Sequence, residues 1–109
     1  MSKNSGAETY VITFCVKACM VERFHSLLHP VLDSMREEKT FVHAALHADP
    51  ERDNIFHLHE TWTDRDDVMN VQLHRPYRAD WDAALDDLLE RPREIRILKL
   101  IRMDMAGEC

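Results

Sequence analysis

Glycine is nearly absent from this chain. Of its 109 residues only Gly6 and Gly107 are glycines, and both lie near the ends. Loops that cradle a phosphate need glycine, because its backbone reaches positive φ and lets N–H groups approach the ligand. Residues 7–106 contain no glycine and therefore cannot form such a loop. The sequence therefore excludes nucleotide sites of the Rossmann and P-loop types.

Nucleophilic serine and paired cysteine motifs are also missing. A nucleophile elbow needs a serine at a strand-to-helix turn, whereas Ser26 and Ser34 fall inside a helical pattern. Cys15, Cys19 and Cys109 are an odd number of cysteines without paired metal-ligand spacing. We therefore expect reduced thiols and no metal site built on them.

Positive charge and long apolar runs are scarce as well. The chain carries 14 Lys and Arg against 20 Asp and Glu, a formal net charge of −6, without a basic stripe. Such a surface repels nucleic acid and anionic membranes. No run approaches the roughly 18 apolar residues of a membrane helix, and the first residues lack the apolar core of a signal peptide. The sequence predicts a cytoplasmic protein that binds neither nucleic acid nor membrane.

The chain does contain a regular alternation of strand and helix patterns. Period-two patterns predict four strands, at 8–17, 41–48, 55–62 and 93–105. Helical spacing predicts helices at 20–38, at 64–73 with Thr63 as its cap, and from about Pro76 onward. The order β-α-β-β-α-β is the ferredoxin-like signature. We predict an α+β ferredoxin-like sandwich with a four-stranded antiparallel sheet, one domain over 1–109 with an ordered core of about 8–105.

The first and last predicted strands carry apolar residues on both faces. In the last strand, Ile95 and Ile97 alternate with Leu98 and Leu100. Both helices of a ferredoxin-like fold cover the same sheet face, so they leave the other face open. An uncovered apolar face usually marks an association surface, and a two-fold dimer that buries sheet against sheet covers it. The sequence predicts a homodimer through this face.

Four histidines share one face of the central hairpin. They are His43, His47, His57 and His59. Strict alternation places Phe41 on that face too, and a turn centred near Glu51 would set His43 opposite His59. Two interpretations stay open, a transition-metal site and a set of polar residues at the dimer interface or a half-wet surface. The absence of any carboxylate or thiolate on this face of the two strands favours the second.

One carboxylate stands among the apolar residues of the opposite face. Glu60 lies between Leu58 and Trp62 in the alternating pattern. Burial raises the pKa of an unpaired carboxyl group, which is how catalytic bases are adjusted. Glu60 is therefore a candidate catalytic base or polar anchor of a pocket. The alternative is a structural role beside an arginine such as Arg75 or Arg78.

His74 is the second candidate base. By helical spacing it shares a side with Tyr77 or Arg78 and with Trp81, where an imidazole beside an aromatic wall would serve a pocket between helices and sheet. The alternative is a cap at a helix junction. Trp62, Tyr77, Trp81 and Phe14 are the predicted pocket walls, and core packing explains these aromatic residues equally well.

These residues together resemble a known family. The stretch from Asp49 through Phe56-His-Leu-His-Glu60-Thr-Trp62 to Pro76-Tyr77 resembles the antibiotic-biosynthesis-monooxygenase (ABM) domain, including its quinol-monooxygenase branch. That family has an F-x-x-x-E-x-W strand, an acidic helix start and then a histidine-containing segment. Pro30-Val31-Leu32 and Arg36-Glu37-Glu38 also stand where the family often has Pro-Leu and Arg-x-Glu. The similarity spans about residues 10–103.

The resemblance implies a dimeric α/β-barrel with a pocket between helices and sheet. Some members oxygenate phenolic or quinol substrates without metal or flavin. Glu60 and Trp62 match the strand motif, and the family's helix histidine would fall near Val71 or Gln72, so that His74 is the nearest candidate. We therefore expect a monooxygenase of a small aromatic or quinol-type substrate, with no cofactor and no metal. The alternatives are an isomerase or haem-degrading oxygenase on the same scaffold, or a non-catalytic small-molecule-binding or stress-response module.

Overall fold

The structure, a computed structural model, describes residues 6–107 and builds a four-stranded sheet with helices packed on one face. The strands are β1 (Glu8–Cys15), β2 (Phe41–Ala48), β3 (Ile55–Trp62) and β4 (Glu94–Lys99). The helices are α1 (Val21–Met35), α2 (Arg65–Asn70) and α3 (Ala79–Leu88). All neighbouring strands pair antiparallel in the order β2-β3-β1-β4. The predicted α+β ferredoxin-like architecture is confirmed.

The hydrophobic core lies between β1, β3 and α1. Tyr10, Ile12 and Phe14 alternate along β1 and point towards the helices, where none is more than 9% exposed. α1 covers them with one apolar stripe, which includes Phe24 and Leu28. Burying side chains of this size stabilises a fold by about 1.5–3 kcal/mol each. The apolar spacing in these two elements therefore explains why α1 packs on this face.

A β-bulge alters the face assignment at the start of β2. Phe41 lies opposite Trp62, while His43 lies opposite Thr61, so Val42 is an extra residue in the ladder. The Phe41 ring packs edge-on against the Trp62 ring, with centroids 5.4 Å apart, on the helix side of the sheet. The prediction that Phe41 shares the face of His43 was wrong, because strict alternation does not anticipate a bulge.

The hairpin turn shifts the predicted cross-strand pairs. Ala45, rather than His43, lies opposite His59. The Oδ1 atom of Asp49 accepts hydrogen bonds from the backbone N–H groups of Glu51 and Arg52, at 2.8 and 3.0 Å. This Asx turn places the centre of the hairpin one residue later than predicted. Moving the centre of the turn by one residue changes the partner of each strand residue by two positions. His59 therefore pairs with Ala45, two residues after the predicted His43.

The cap of α2 also differs from the prediction. Asp64 is the N-cap residue, and its Oδ1 accepts a hydrogen bond from the backbone N–H of Asp67 at 3.2 Å. The prediction that Thr63 caps this helix was wrong. The backbone N–H of Thr63 donates instead to the carbonyl of Thr40 at 2.9 Å, which holds Thr63 against the end of the sheet.

β4 is shorter than predicted because its partner strand ends. β1 begins at Glu8, which pairs with Lys99, and the ladder stops there. Farther along, Ile101 and Met105 are 92% and 77% exposed. All six residues of β4 are exposed, so this strand forms an open edge of the sheet. No helix within residues 6–107 combines the length and apolar character needed to cross a membrane.

The cysteines are unpaired where the structure shows them. Cys15 is buried and Cys19 is exposed, and both are free thiols. The Sγ of Cys15 donates a hydrogen bond to Oε2 of Glu90 at 3.2 Å. Cys109 lies outside the described residues.

Candidate functional site

A cavity of about 120 Å³ lies between the sheet and the helices, beside β4. Its wall is mainly apolar and includes Phe14, Leu28, Val31, Met35, Trp81 and Ile95. An engineered cavity of about 150 Å³ binds benzene in another protein. This space is therefore of the size of a single aromatic ring. It lies where the resemblance places a pocket.

Three buried polar side chains interrupt the apolar wall, and the half-buried Arg93 lies at its edge. Tyr10 comes from β1, Glu60 from β3, and Arg78 from the short 3₁₀ turn Pro76–Arg78. They are only 5%, 6% and 7% exposed, respectively. Tyr10 and Glu60 lie directly opposite each other in neighbouring strands, so their side chains share this face. Buried polar groups are costly unless they are paired, and their concentration here marks the cavity as the candidate site.

The backbone before α3 explains how Arg78 reaches the cavity. Arg75 is extended, with φ −61° and ψ 135°, because the residue before a proline avoids the helical region. Pro76 then opens the 3₁₀ turn, and the backbone N–H of Arg78 donates to the carbonyl of Arg75 at 3.0 Å. This turn brings the side chain of Arg78 under the helices rather than into solvent.

Glu60 has one fixed partner. Its Oε1 accepts a hydrogen bond from Nε1 of Trp62 at 3.1 Å, and this contact is buried. Burial raises the pKa of the Glu60 carboxyl group, and the charge of Arg78 and the Trp62 hydrogen bond oppose that rise. Glu60 therefore binds its proton at a higher pH than an ordinary glutamate does. This is a property of carboxyl groups that act as bases near neutral pH.

Two nitrogen atoms of the Arg78 guanidinium group lack a hydrogen-bond partner among the described residues. Its Nε and Nη2 atoms are buried and donate no hydrogen bond to any group of residues 6–107. Its Cζ atom lies 6.0 Å from the centroid of the Tyr77 ring, which gives one cation–π contact. The ion pairs of the described residues do not include Arg78. The hydroxyl of Tyr10 is likewise buried without a hydrogen bond to a described group.

The predicted site residues fall into two groups. Phe14 and Trp81 line the cavity together with Glu60, and the two aromatic rings meet edge-on at 5.6 Å. Trp62 lies behind Glu60 and positions its carboxyl group. His74 is exposed and is not among the lining residues.

Tyr77 also lies outside the cavity wall. Its hydroxyl donates to Oε2 of Glu38 at 2.9 Å, and burial and this contact raise the pKa of Tyr77 to about 12. Arg75 binds the same carboxylate through Nε and Nη2, at 2.9 and 3.1 Å. The proposed structural pairing of Arg75 with Glu60 was therefore wrong, because Glu38 takes Arg75.

Tyr10 and Arg78 are the site residues that sequence reasoning missed. Tyr10 fitted a buried strand pattern, which gives no sign that its hydroxyl faces a cavity. Arg78 was considered as an ion-pair partner of Glu60 and as a helical neighbour of His74, not as a wall of the pocket. A signal was nevertheless present, since an arginine two residues after a proline and three before Trp81 falls close to the inward stripe of α3.

The hairpin histidines lie on the outer face of the sheet, away from the cavity. The His47 and His59 rings meet at 5.3 Å, and Nδ1 of His57 is hydrogen-bonded to Oγ1 of Thr13 at 3.0 Å. Burial lowers the pKa of His59, and the neighbouring histidines lower it further. Within the described part of the chain, no three or more potential ligands are arranged to hold a metal ion.

Solved structures of monooxygenases share this fold. A "Putative antibiotic biosynthesis monooxygenase" from Nitrosomonas europaea is 16% identical, with a TM-score of 0.82 over 88% of this chain and 91% of that chain. SnoaB, a cofactor-independent oxygenase from Streptomyces nogalater, is 21% identical, with a TM-score of 0.75 over 90% of this chain and 96% of that chain. A conserved protein from Methanosarcina mazei Go1 is 18% identical, with a TM-score of 0.80 over 89% and 95%.

One relative found by sequence is also described as a monooxygenase. A "Putative monooxygenase" of Pestalotiopsis microspora is 27% identical over 78 residues, which are 71% of this chain and 65% of that protein. This chain thus spans slightly less than two thirds of that relative. No protein-family model matches the chain. The predicted resemblance is confirmed at the level of the fold, which is that of the antibiotic biosynthesis monooxygenases.

Proposed function

We propose that this protein is a cofactor-independent monooxygenase of a small aromatic or quinol-type substrate, with Glu60 as its base. The observation that carries this proposal is the buried Glu60 on the wall of a cavity the size of one ring. The fold shared with SnoaB, a cofactor-independent oxygenase, supports the reaction class. The mainly apolar wall supports a flat, apolar substrate.

The chemistry requires little from the protein. Glu60 would take the proton of a phenolic hydroxyl group, and the resulting phenolate is electron-rich enough to transfer one electron to O₂. The substrate radical and superoxide combine into a ring peroxide. The peroxide takes the proton back from Glu60, and loss of water, which carries away the hydrogen of the same ring carbon, then gives a quinone. One oxygen atom therefore enters the product, the other leaves as water, and Glu60 is restored as the base. The protein supplies a base, orientation and a cavity that limits access of water.

The residues at the cavity have different roles in the proposed reaction. Glu60 accepts the proton, and Trp62 holds one of its oxygen atoms through the 3.1 Å hydrogen bond. Phe14 and Trp81 are the walls against which the ring packs. His74 remains the alternative base, and its exposed position requires a movement of the chain before it reaches a bound ring.

A haem-degrading activity is less compatible with the site. A porphyrin has four pyrrole rings, and the cavity of about 120 Å³ accommodates one ring. A non-catalytic binding module remains the rival function. It predicts thermal stabilisation by an aromatic ligand without consumption of oxygen.

Oxygen uptake tests the proposal. Purified, chelator-treated protein is supplied with a panel of dihydroxyaromatic compounds, and O₂ consumption and quinone formation are recorded together. We expect equal molar amounts of O₂ consumed and quinone formed. Uptake no faster than that of a Glu60→Gln/His74→Ala double variant would remove the assignment. Thermal unfolding of both proteins controls for loss of fold.

We also propose that the protein is a homodimer through the outer sheet face. Within residues 6–107 no helix covers this face, and Leu98 on it is 46% exposed. Ile95 is a matched control, because it lies on the same strand at 48% exposure but on the helix side. Leu98→Asp should convert the dimer to monomer in sedimentation velocity, whereas Ile95→Asp should not. A wild-type monomer at micromolar concentration would contradict this proposal. The cytoplasmic location stays a prediction.

A further inference from the structure

Arg78 is the charged group of the cavity that the proposed chemistry leaves unused. Its side chain lies in the cavity wall at 7% exposure, and Nε and Nη2 donate to no described group. A guanidinium group stays protonated at any pH a protein meets. The cavity therefore keeps a positive charge and free N–H donors next to its apolar space.

Two other arginines, Arg75 and Arg65, have carboxylate partners although both are more exposed than Arg78. Arg75 binds both oxygen atoms of Glu38, at 2.9 and 3.1 Å. Arg65 binds both oxygen atoms of Glu8 in the same two-pronged way. The chain thus provides carboxylate partners for arginines that are more exposed than Arg78. A more deeply buried guanidinium without one among residues 6–107 is in position to bind an anionic ligand in the cavity.

Glu60 does not fill that role. Its Oε1 is held by Trp62, and no ion pair joins Glu60 to Arg78 among the described residues. The charge of Arg78 acts on Glu60 without a direct contact and partly offsets the rise in the pKa of Glu60 that burial causes. The second cation at the cavity is Arg93, which is half-buried at its edge.

We propose that the cavity binds a single aromatic ring bearing an anionic oxygen substituent, a carboxylate or a phenolate, and that Arg78 binds this oxygen. The apolar walls Phe14 and Trp81 would hold the ring. Tyr10 also lines the cavity, and its buried hydroxyl, which has no partner among the described residues, is available to a second oxygen substituent on the same ring. This inference rests on the same cavity as the proposed function and defines its substrate class.

The proposal also agrees with the chemistry of proton removal. When Glu60 takes a proton from a phenolic hydroxyl group, negative charge develops on the substrate oxygen. A guanidinium group already in place would stabilise that charge without reorganisation. A substrate with a permanent carboxylate would use the same donors to fix its orientation. Both forms present the same group to Arg78, an oxygen anion in the plane of a ring.

Ligand binding without oxidation tests this inference. Benzoate and benzamide have nearly the same shape and differ in charge, and their binding is measured by quenching of tryptophan fluorescence under nitrogen. We expect wild-type protein to bind benzoate about tenfold or more tightly than benzamide, as hydrogen bonds to a charged group imply. Arg78→Gln should remove this preference, and Arg93→Gln should retain most of it. Equal affinity of wild-type protein for the two probes overturns the proposal, whatever the folding of the variants.

Two further comparisons sharpen the result. Arg78→Lys keeps the charge but loses the planar fork, so it should retain only part of the preference. An equal loss in Arg78→Gln and Arg93→Gln would assign the effect to general charge and contradict a specific role for Arg78. The dye 4-nitrophenol distinguishes the two anions, because its yellow colour reports the phenolate. If the bound dye ionises at a lower pH than the free dye, Arg78 binds phenolates, and if only benzoate shows the preference, it binds carboxylates.

The outcomes separate this inference from the proposed function. Benzoate is not a phenol and is measured without oxygen, so its binding does not depend on turnover. An anion preference without any oxygen uptake would retain the binding site and remove the monooxygenase. Oxygen uptake without an anion preference would retain the monooxygenase and remove the anion-binding site at Arg78.

Discussion

The two faces of the sheet use the same strands for different purposes. On the helix face, Glu60 and Tyr10 are buried next to Arg78 in the wall of an apolar cavity. One residue away on the outer face, His59 lies half-buried among other histidines with no helix over it in the described chain. A shift of one position along a strand therefore decides whether a polar side chain faces the cavity or the outer face of the sheet.

Burial shifts the pKa values of Glu60 and His59, one on each face, in opposite directions. It raises the pKa of Glu60 and lowers the pKa of His59, so both groups favour their neutral forms. On the helix face, Arg78 and the half-buried Arg93 are the positive groups of the cavity wall. On the outer face His59 resists protonation beside the other histidines, and the exposed Arg96 of β4 adds a permanent positive charge. The comparison predicts that pH acts on activity through one face and on assembly through the other.

The largest expected effect separates the two candidate bases. Glu60→Gln should lower kcat by about 10²–10⁴-fold, the usual contribution of a general base. Its amide oxygen can still accept the hydrogen bond from Trp62, so the fold should be retained. His74→Ala should remain close to wild type, because His74 is exposed and outside the cavity wall. Steady-state oxygen uptake measures both, and a larger loss in His74→Ala would transfer the base to that residue.

The next effect compares the faces by stability. Phe14 is 1% exposed and contacts Phe24 and Trp81, with centroids at 5.2 and 5.6 Å. Phe14→Ala should reduce the free energy of unfolding by about 3–5 kcal/mol. Val11 is partly exposed on the outer face of the same strand, and Val11→Ala should cost about 1 kcal/mol. Urea denaturation gives both values, and equal losses would mean that the outer face is packed as tightly as the core.

A smaller effect follows from the pKa of Glu60. Because burial raises it above the ordinary value of 4.5, the folded protein holds the proton more tightly than the unfolded chain. The associated stability is complete below that value and is lost as pH rises through the folded pKa. Glu60→Gln should therefore gain stability relative to wild type on going from about pH 4.5 to about pH 8. Urea denaturation at the two pH values checks this, and a difference that stays constant would contradict it.

The smallest effect concerns the outer face. The lowered pKa of His59 means that protonation is resisted in the folded chain. Protonation below the ordinary histidine pKa of about 6.5 adds like charges to this face. If it is the dimer interface, sedimentation should show a weaker dimer at about pH 5.5 than at about pH 8. A His59→Asn variant should lose part of this dependence, and identical dimer fractions in wild type at both pH values would refute it.

Much of the fold could be predicted from local patterns. β2 and β3 have the predicted bounds, because alternation and a polar turn define a hairpin without reference to the rest of the chain. The burial of Glu60 also followed from its place between Leu58 and Trp62. Two failures depend on contacts distant in sequence, because the end of β4 is set by where β1 begins and the face of Phe41 is set by the bulge in β2. The register of the hairpin failed for a local reason, the Asx turn at Asp49, which moves the centre of the turn by one residue.

The candidate site was less predictable than the fold. Glu60, Phe14 and Trp81 were identified because their patterns mark the helix face. Arg78 was not, because the direction of its side chain depends on the turn that follows Pro76 and on whether a partner lies within reach. Glu38 provides a partner for Arg75 and not for Arg78, and a one-dimensional pattern carries no information on that difference.

The most direct test of the account is a carbon-detected NMR titration of the Glu60 side-chain carboxyl group, assigned by comparison with Glu60→Gln. The account predicts a midpoint above the ordinary value of 4.5, since the group lies buried in the cavity wall. A midpoint at or below that value would show an exposed or fully paired carboxylate, and Glu60 could not then be the base proposed for this protein.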